Sequence, residues 1–169
     1  SLSQELERAG SPLRREDFER HRSMDVIPLS LDVSGHRIFN LPPPTQGIAS
    51  LILLGVFERL KITEAEGFEF SHGIIEATKR AFKIRDRHVC DPAFMSSEIE
   101  HFLASEVLDE LTSSIDMTRA APWPDATAGG DTVWLGAIDS KGRAVSFIQS
   151  VYWEFGSGLV LPQTGITWQ

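Results

Sequence analysis

The sequence predicts an α+β fold, and two observations carry that prediction. Apolar residues recur at helical spacing in several segments between residues 48 and 115. Farther along, the runs 129–139 and 143–152 are rich in β-branched and aromatic residues and predict a β-hairpin. The chain has 169 residues, 41% of them apolar and 24% charged, which is the size and composition of an ordinary globular domain.

The turn Asp139-Ser140-Lys141-Gly142 sets the register of this hairpin. It is typical of a type I turn followed by a glycine at positive φ, which glycine tolerates because it has no Cβ. If Asp139 pairs with Arg143, then Thr132 lies directly opposite Ser150, and directly opposed residues share one face of a sheet. A two-residue loop would shift the register by one and separate the two hydroxyl groups.

The strand that begins at Thr132 is apolar on both faces. Trp134 and Ile138 lie on one face, and residues 133, 135 and 137 on the other are apolar too. Strands that are covered from both sides have this composition. We therefore expect this strand to be buried on both faces.

The region before the hairpin predicts helices and one short hairpin over 29–40. After a run of prolines, the segment from Ile48 to Leu60 is apolar nearly all round and predicts a buried helix. Gly55 lies within this helix and predicts that a neighbouring element packs closely against the helix at that position. A second helix is predicted over 70–87, with Lys79, Arg80 and Lys83 on its solvent side.

The segment 118–130 predicts a loop, because it contains two prolines and two glycines and no apolar period. It leads directly into Thr132. Glycines allow unusual backbone angles, so the backbone just before Thr132 can deform. Taken alone, the segment indicates a plain connecting loop.

Several short motifs follow one another along the chain. They are Leu41-Pro42-Pro43-Pro44-Thr45-Gln46-Gly47-Ile48, Glu76-Ala77-Thr78-Lys79-Arg80-Ala81-Phe82, Arg85-Asp86-Arg87, Asp91-Pro92, Gly130-Asp131-Thr132, the stretch 139–146, Phe155-Gly156-Ser157-Gly158 and Thr164-Gly165-Ile166. In this order they resemble the γ-glutamyltransferase (γ-glutamyltranspeptidase) family of N-terminal nucleophile hydrolases, around the junction of its large and small subunits. The resemblance covers most of the chain, and its specificity comes from the order of the motifs.

The resemblance implies a fold, a domain division and a partner. The fold is an αββα sandwich, here incomplete. Residues 1–131 would form the end of the large-subunit region, mostly helical with a short hairpin, and 132–169 the start of the small-subunit region. The partner would be the rest of a longer polypeptide, and strand edges left unpaired in this chain predict self-association.

The resemblance also implies the chemistry. Such proteins are proenzymes that cut themselves before a threonine, here at the Asp131–Thr132 bond. A hydroxyl group is a weak nucleophile, and the new α-amino group on the same residue can activate it. Ser150 would hold the Thr132 hydroxyl or amine by a hydrogen bond. Tyr152 occupies the position of an asparagine that reads the glutamyl carboxylate in the family, and is a candidate substrate-binding residue. No metal or organic cofactor is implied.

Three readings of the function follow. The first is cleavage or transfer of a γ-glutamyl group, as in glutathione metabolism, through an acyl-enzyme on Thr132. The second is the amidohydrolase or acylase branch of the family, such as oxamate amidohydrolase or cephalosporin acylase, because Thr132-Val133-Trp134 and Tyr152 depart from true γ-glutamyl transferases. The third is a catalytically silent fragment. A binding or structural module with a coincidental hairpin is disfavoured, because several ordered motifs would have to coincide. We expect the isolated chain to be inactive in any case.

Composition limits the remaining partners and the compartment. The net charge of −8 argues against nucleic acid, whose binding depends on cationic contacts to phosphate. The sequence holds no apolar run of about 20 residues that could span a bilayer, and we expect a soluble protein of the cytoplasm or periplasm. Cys90, the single cysteine, and the histidines at positions 72, 88 and 101 match no zinc-binding spacing. We expect Cys90 to be buried and these histidines to be surface or capping groups.

Overall fold

The computed structural model describes residues 1–123, 132–152 and 155–169. The described helices are α1 Leu2–Arg8, α2 Arg15–Arg20, α3 Gly47–Arg59, α4 Phe68–His88 and α5 Ser105–Ser113, with 3-10 helices at Pro92–Phe94 and Ile99–Leu103. The strands are β1 Leu29–Val33, β2 His36–Asn40, β3 Thr132–Ile138 and β4 Ala144–Ser150. The chain thus mixes helix and sheet, as predicted. It divides into two compact units, Met24–Asp125 and Ser1–Ser23 with Ala126–Gln169, and each is described by itself.

The core of the unit Met24–Asp125 is built around α3. Ile48, Leu51, Ile52 and Val56 on this helix are completely buried. They pack with residues of β1, α4 and α5, as expected for a helix that is apolar nearly all round. Gly55 provides the predicted close approach, since a Cβ there would lie 2.8 Å from Leu31 Cδ2 and 2.9 Å from Leu108 Cδ1.

The hairpin of β1 and β2 has the predicted position. The two strands pair antiparallel, with Leu29 opposite Asn40 and Val33 opposite His36. Ser34 and Gly35 form the turn with φ of 50° and 76°, the left-handed conformation that tight hairpins require. Leu29 is buried and Leu31 packs against the core cluster, so one face of this hairpin covers α3.

Helix α4 differs from its prediction in which side chains are buried. Lys79 was expected on the solvent side but is only 5% exposed, and Glu76 is completely buried. The Arg80 side chain is also mostly covered, at 11% exposed. Ile75, by contrast, is exposed. Lys83, the third residue predicted on the solvent side, is exposed. Helical periodicity was wrong for Lys79 and Arg80 because these charged groups bind a distant segment of the chain, described below.

The second hairpin has the predicted register but not the predicted burial. β3 and β4 pair antiparallel, with Thr132 opposite Ser150 and Ile138 opposite Ala144. The expectation that β3 is buried on both faces is wrong for this chain: Val133 and Trp134, on opposite faces, are 62% and 63% exposed. β3 and β4 form a sheet of two strands, and neither face is covered within the described residues.

Residues 155–169 fold into a series of turns around one buried side chain. Val160 and Thr167 form an isolated antiparallel bridge. The Leu161 N–H donates to the Ile166 carbonyl at 2.9 Å, and the Leu161 side chain is completely buried. In the same unit Leu6 of α1 is also completely buried, and the Gln163 N–H lies 3.4 Å from a carboxylate oxygen of Glu5. None of the described helices is both long and apolar enough to cross a bilayer.

Candidate active site at the start of strand β3

The turn between β3 and β4 fixes the pairing of Thr132 with Ser150. The Asp139 N–H donates to the Arg143 carbonyl, and the Gly142 N–H donates to the Asp139 carbonyl, both at 3.0 Å. Gly142 has φ of +78°, the conformation that the sequence predicted. With Asp139 and Arg143 joined in this way, the ladder runs without a bulge to its far end at Ser150.

The side chain of Asp139 holds this turn closed. Its carboxylate accepts hydrogen bonds from the Arg143 N–H at 3.0 Å, from the Arg143 Nε at 2.6 Å and from the Lys141 N–H at 2.9 Å. The backbone and guanidinium donors of Arg143, followed by the Lys141 N–H, keep the pKa of Asp139 below its ordinary value, although partial desolvation opposes them. The turn therefore depends on an ionised carboxylate.

Ser150 lies at the end of β4 and accepts a local hydrogen bond. The N–H of Tyr152 donates to its Oγ at 2.8 Å. Tyr152 has φ of +73°, which is uncommon for a residue with a side chain, and its ring is exposed. The chain thus turns sharply just after the position opposite Thr132, and the exposed ring stands two residues from Ser150.

The structure brings some of the predicted site residues together. The backbones of Thr132 and Ser150 are paired, and Tyr152 contacts Ser150 through its N–H. Asp131 lies outside the described residues, as do the rest of the predicted loop from residue 124 and the side chain of Thr132. The scissile bond and the nucleophilic hydroxyl group therefore stay predictions.

Trp134 was not singled out as a site residue, yet it lies on the same face as Thr132. Side chains two apart on a strand point to the same side. The Trp134 Nε1–H donates to Ser146 Oγ at 3.0 Å. The indole covers Gly136, where a Cβ would lie 2.8 Å from its ring. In the sequence, the pattern of Trp134, one further residue and Gly136 could have predicted that the indole covers the glycine.

A cluster of buried charges on α4 was also missed. The Glu76 carboxylate accepts a hydrogen bond from Lys79 Nζ at 2.6 Å and a short one from the Arg80 guanidinium. Burial by itself raises the pKa of Glu76, but the hydrogen bonds from Lys79, Arg80 and the Ala121 N–H outweigh it, so the pKa is lowered overall. Glu76 is therefore a buried, ionised carboxylate with three donors.

The residues considered for a metal site do not converge. Among residues 1–123, 132–152 and 155–169, no group of three or more His, Cys, Asp or Glu side chains is placed to hold a metal ion. Cys90 is exposed, which corrects the expectation of burial. His72 is buried, not a surface group, and its Nε2 lies 2.9 Å from the Asp116 carbonyl oxygen.

Comparison with solved structures defines the class of protein. The chain superposes on a cephalosporin acylase from Bacillus halodurans with a TM-score of 0.81 and 33% identity, over 99% of this chain and 31% of that one. It superposes on the γ-glutamyltranspeptidase of Helicobacter pylori with a TM-score of 0.67 over 75% of this chain, at 17% identity, which shows the fold alone. The described fold therefore has its neighbours among the N-terminal nucleophile hydrolases.

Sequence comparison gives the family. The family model for gamma-glutamyltranspeptidase matches residues 1–169, and the chain belongs to this family. It is 46% identical over 168 residues to an oxamate amidohydrolase proenzyme of Klebsiella pneumoniae and 37% identical over 166 residues to a glutathione hydrolase-like proenzyme of Bacillus subtilis. It covers 99% and 97% of its own length in these matches but only 32% and 31% of the relatives, so it spans about a third of their length.

Proposed function

We propose that this chain is the junction segment of a self-processing amide hydrolase or acyltransferase, with Thr132 as its nucleophile. Residues 1–131 would end the large-subunit region, and 132–169 would begin the small-subunit region of an αββα sandwich. The register that places Thr132 opposite Ser150 carries the proposal, because directly opposed side chains lie close enough for the Ser150 hydroxyl group to hydrogen-bond to Thr132. Membership of a family whose relatives are named proenzymes supports it.

Self-processing would use the backbone itself as substrate. The Thr132 Oγ attacks the Asp131 carbonyl carbon, the C–N bond breaks, and the nitrogen takes up the proton that left the hydroxyl group. The product is an ester between the Asp131 acyl group and Thr132 Oγ, with a free α-amino group on Thr132. Water hydrolyses that ester, which leaves a carboxylate on Asp131 and restores the hydroxyl group.

After cleavage, Thr132 would supply both the nucleophile, which is its hydroxyl group, and the base, which is its α-amino group. An α-amino group has a reference pKa of about 7.7–8.0, so a useful fraction is neutral near pH 7. The amine takes the Thr132 hydroxyl proton as Oγ attacks the substrate carbonyl carbon, and delivers it to the departing nitrogen. Water or an acceptor amine then resolves the acyl-enzyme. Ser150 would orient the hydroxyl or amine of Thr132, and Tyr152 would contact the substrate.

The substrate has two candidates within this chemistry. A γ-glutamyl amide such as glutathione suits the family as a whole. The sequence identities favour a small amide. The chain is 46% identical to the oxamate amidohydrolase proenzyme but 23% identical to the Escherichia coli glutathione hydrolase proenzyme.

Intact mass spectrometry of the full-length polypeptide tests the proposal. We expect wild type to split between Asp131 and Thr132, Thr132→Ala to stay whole, and Thr132→Ser to split. Hydrolysis of a γ-glutamyl anilide and of oxamate by the split protein then separates the two substrate classes. A folded wild-type protein that stays in one piece would overturn the proposal and leave a silent member of the family.

A further inference from the structure

The indole of Trp134 lies over Gly136, on the side of Trp134 that is farther from Thr132. We propose that Gly136 and Ser146 form a seat for this ring, here termed the indole seat, which keeps the sheet face beside Thr132 clear for substrate. Both are positioning residues, because they act through Trp134. This inference rests on the proposed function, since it assigns the seat a role at the nucleophile proposed above.

Gly136 provides the space in which the indole lies. A Cβ at this position would lie 2.8 Å from Trp134 Cη2, 3.0 Å from Cζ2 and 3.7 Å from Cζ3. Among the described atoms these are the three nearest, and all of them belong to the indole. The backbone of Gly136 does not have the positive φ that favours glycine. The indole is therefore the contact that excludes a side chain at this position.

Ser146 fixes the orientation of the ring. The Trp134 Nε1–H donates to Ser146 Oγ at 3.0 Å. This N–H is the one polar group of a tryptophan side chain, so the hydrogen bond favours one orientation of the indole. Ser146 lies directly opposite Gly136 in the ladder, and the ring therefore packs over a single pair of residues.

The hairpin offers the indole a second orientation with similar chemistry. Gly136 and Ser146 form the next pair on this face in one direction from Trp134, and Thr132 and Ser150 form the next pair in the other direction. Each pair is about 7 Å away along the strand, a distance that a tryptophan side chain spans. Side chains on a strand lean along it in either of two common rotamers. A serine hydroxyl group thus lies diagonal to Trp134 on both sides.

The orientation of the ring decides access to Thr132. Over Gly136, the ring leaves the face beside Thr132 open. In the other orientation it would lie across Thr132 and Ser150, where the proposed reaction takes place. Glycine in the interior of a strand weakens the strand, because it has no side chain to pack, so strand stability does not account for Gly136.

The first test locates the indole by NMR in the full-length polypeptide. A nuclear Overhauser effect (NOE) between the Trp134 ring protons and the Gly136 α-protons reports the seated orientation. An NOE from the ring to the Ser150 β-protons or the Thr132 γ-methyl group reports the other orientation. We expect the first in wild type. We expect the second in Gly136→Ala, because the added Cβ displaces the ring from its seat.

The second test measures turnover after self-cleavage. The substrate is whichever of oxamate and a γ-glutamyl anilide wild type hydrolyses. We expect kcat/KM of Gly136→Ala to fall by about tenfold or more, because the displaced ring obstructs the nucleophile. Adding Trp134→Ala to this variant removes the ring and should restore turnover. A block of self-cleavage in Gly136→Ala that Trp134→Ala relieves has the same meaning.

The matched control is Gly67→Ala, which adds the same methyl group where φ is −82° and no described atom would lie within 4 Å of it. We expect wild-type turnover from it. Ser146→Ala removes the acceptor without adding volume and should show a smaller fall. Ser146→Thr keeps an acceptor and should retain more activity than Ser146→Ala. If Gly136→Ala does not fold, Ser146→Ala replaces it in both tests.

Three results would overturn the inference. One is a folded Gly136→Ala protein that turns over substrate at the wild-type rate, and another is a loss that Trp134→Ala does not restore. The third is a ring in Gly136→Ala that shows no NOE to Thr132 or Ser150, which also decides the matter if no substrate is hydrolysed. Failure of the proposed function looks different: wild type would stay in one piece and hydrolyse neither substrate, while the ring still changes orientation in Gly136→Ala.

Discussion

Thr132 and Ser150 face each other at the open end of the β3–β4 hairpin, and a turn six pairs away determines that they do. Because side chains alternate along a strand, a shift of one residue anywhere in the ladder would place Ser150 on the other face from Thr132. The geometry of the candidate site thus depends on Asp139 and Gly142 as much as on the two hydroxyl residues.

The first prediction concerns Gly142, whose φ is +78°. Gly142→Ala should destabilise the hairpin by about 1–2 kcal/mol, since a Cβ clashes with the backbone in this conformation. We expect a slower self-cleavage in the full-length polypeptide, measured by intact mass over time. Gly165→Ala is the control, because Gly165 has φ of +71° and equally open surroundings but lies outside the turn. Equal slowing by the two variants would contradict the role of the turn.

The second prediction concerns Ser150. Ser150→Ala removes the acceptor of the Tyr152 N–H and the hydroxyl group opposite Thr132. We expect cleavage and substrate turnover to fall by about 10- to 100-fold, in the range of a lost positioning contact. Ser30→Ala removes an exposed strand serine from β1 and should leave both rates unchanged. Turnover in Ser150→Ala equal to that of the Ser30 control would exclude Ser150 from the site.

The third prediction is a pH dependence that originates at Glu76. Its folded-state pKa is lowered, so the stability it contributes is present above its ordinary value of about 4.3 and is lost as the pH falls through the lowered folded value. The melting temperature of Glu76→Gln should therefore fall less steeply than that of wild type below about pH 4.3. Parallel curves for the two proteins would argue against an ionised Glu76.

The fourth prediction concerns the contact of Gly55 with Leu108. Gly55→Ala should cost about 1–3 kcal/mol of unfolding free energy, because its Cβ would lie 2.9 Å from Leu108 Cδ1. In a Leu108→Ala background the extra methyl group fills part of the space left by leucine. The two substitutions together should therefore cost less than the sum of their separate effects, as measured by urea unfolding. Simple additivity would contradict the close contact.

The features that could be predicted from the sequence are those that depend on residues close together in the chain. The turn at Asp139 predicted the ladder as far as Ser150, and Gly55 within an apolar helix predicted a close approach. Both features follow from backbone sterics within a few residues, which a sequence displays directly. The mixed helix and sheet of the chain could be predicted for the same reason.

The contacts between α4 and the segment 114–123 could not be predicted in this way. Lys79 and Arg80 have the charge of a solvent-facing stripe, and periodicity assigned them to it. Their partners Ala121 and Ser114 lie 42 and 34 residues further along the chain. Lys79 and Arg80 each donate to a carbonyl oxygen, which every residue type carries, and the Ser114 hydroxyl group adds one side-chain contact with Arg80. Carbonyl groups leave no mark in the sequence that would identify the partner.

The burial of β3 was mispredicted for a different reason. A strand that is apolar on both faces predicts layers on both sides, but within the described residues both faces are exposed. An apolar composition on both faces indicates that layers cover the strand in the folded protein, but the residues of those layers need not lie in the same stretch of sequence. The chain spans about a third of the length of these relatives.

The fifth prediction follows from this exposed sheet. Leu135 and Phe147 are directly opposed and lie about half exposed on one face of the hairpin. Within the described part of the chain, the outer edges of β3 and β4 have no partner strand. Apolar faces and free edges of this kind associate with one another in water. We expect the isolated 169-residue chain to form dimers or larger species at high concentration in light scattering.

A charged pair on that face should prevent the association. Leu135→Lys with Phe147→Lys places two like charges opposite each other, which opposes sheet stacking while leaving the turn at Asp139 intact. Val26→Lys with Ile27→Lys adds the same charge at exposed apolar positions outside the hairpin and should associate as wild type does. A wild-type chain that stays monomeric at high concentration would show that the exposed sheet does not drive association. Association that persists in the hairpin variant but not in the control would locate the contact elsewhere.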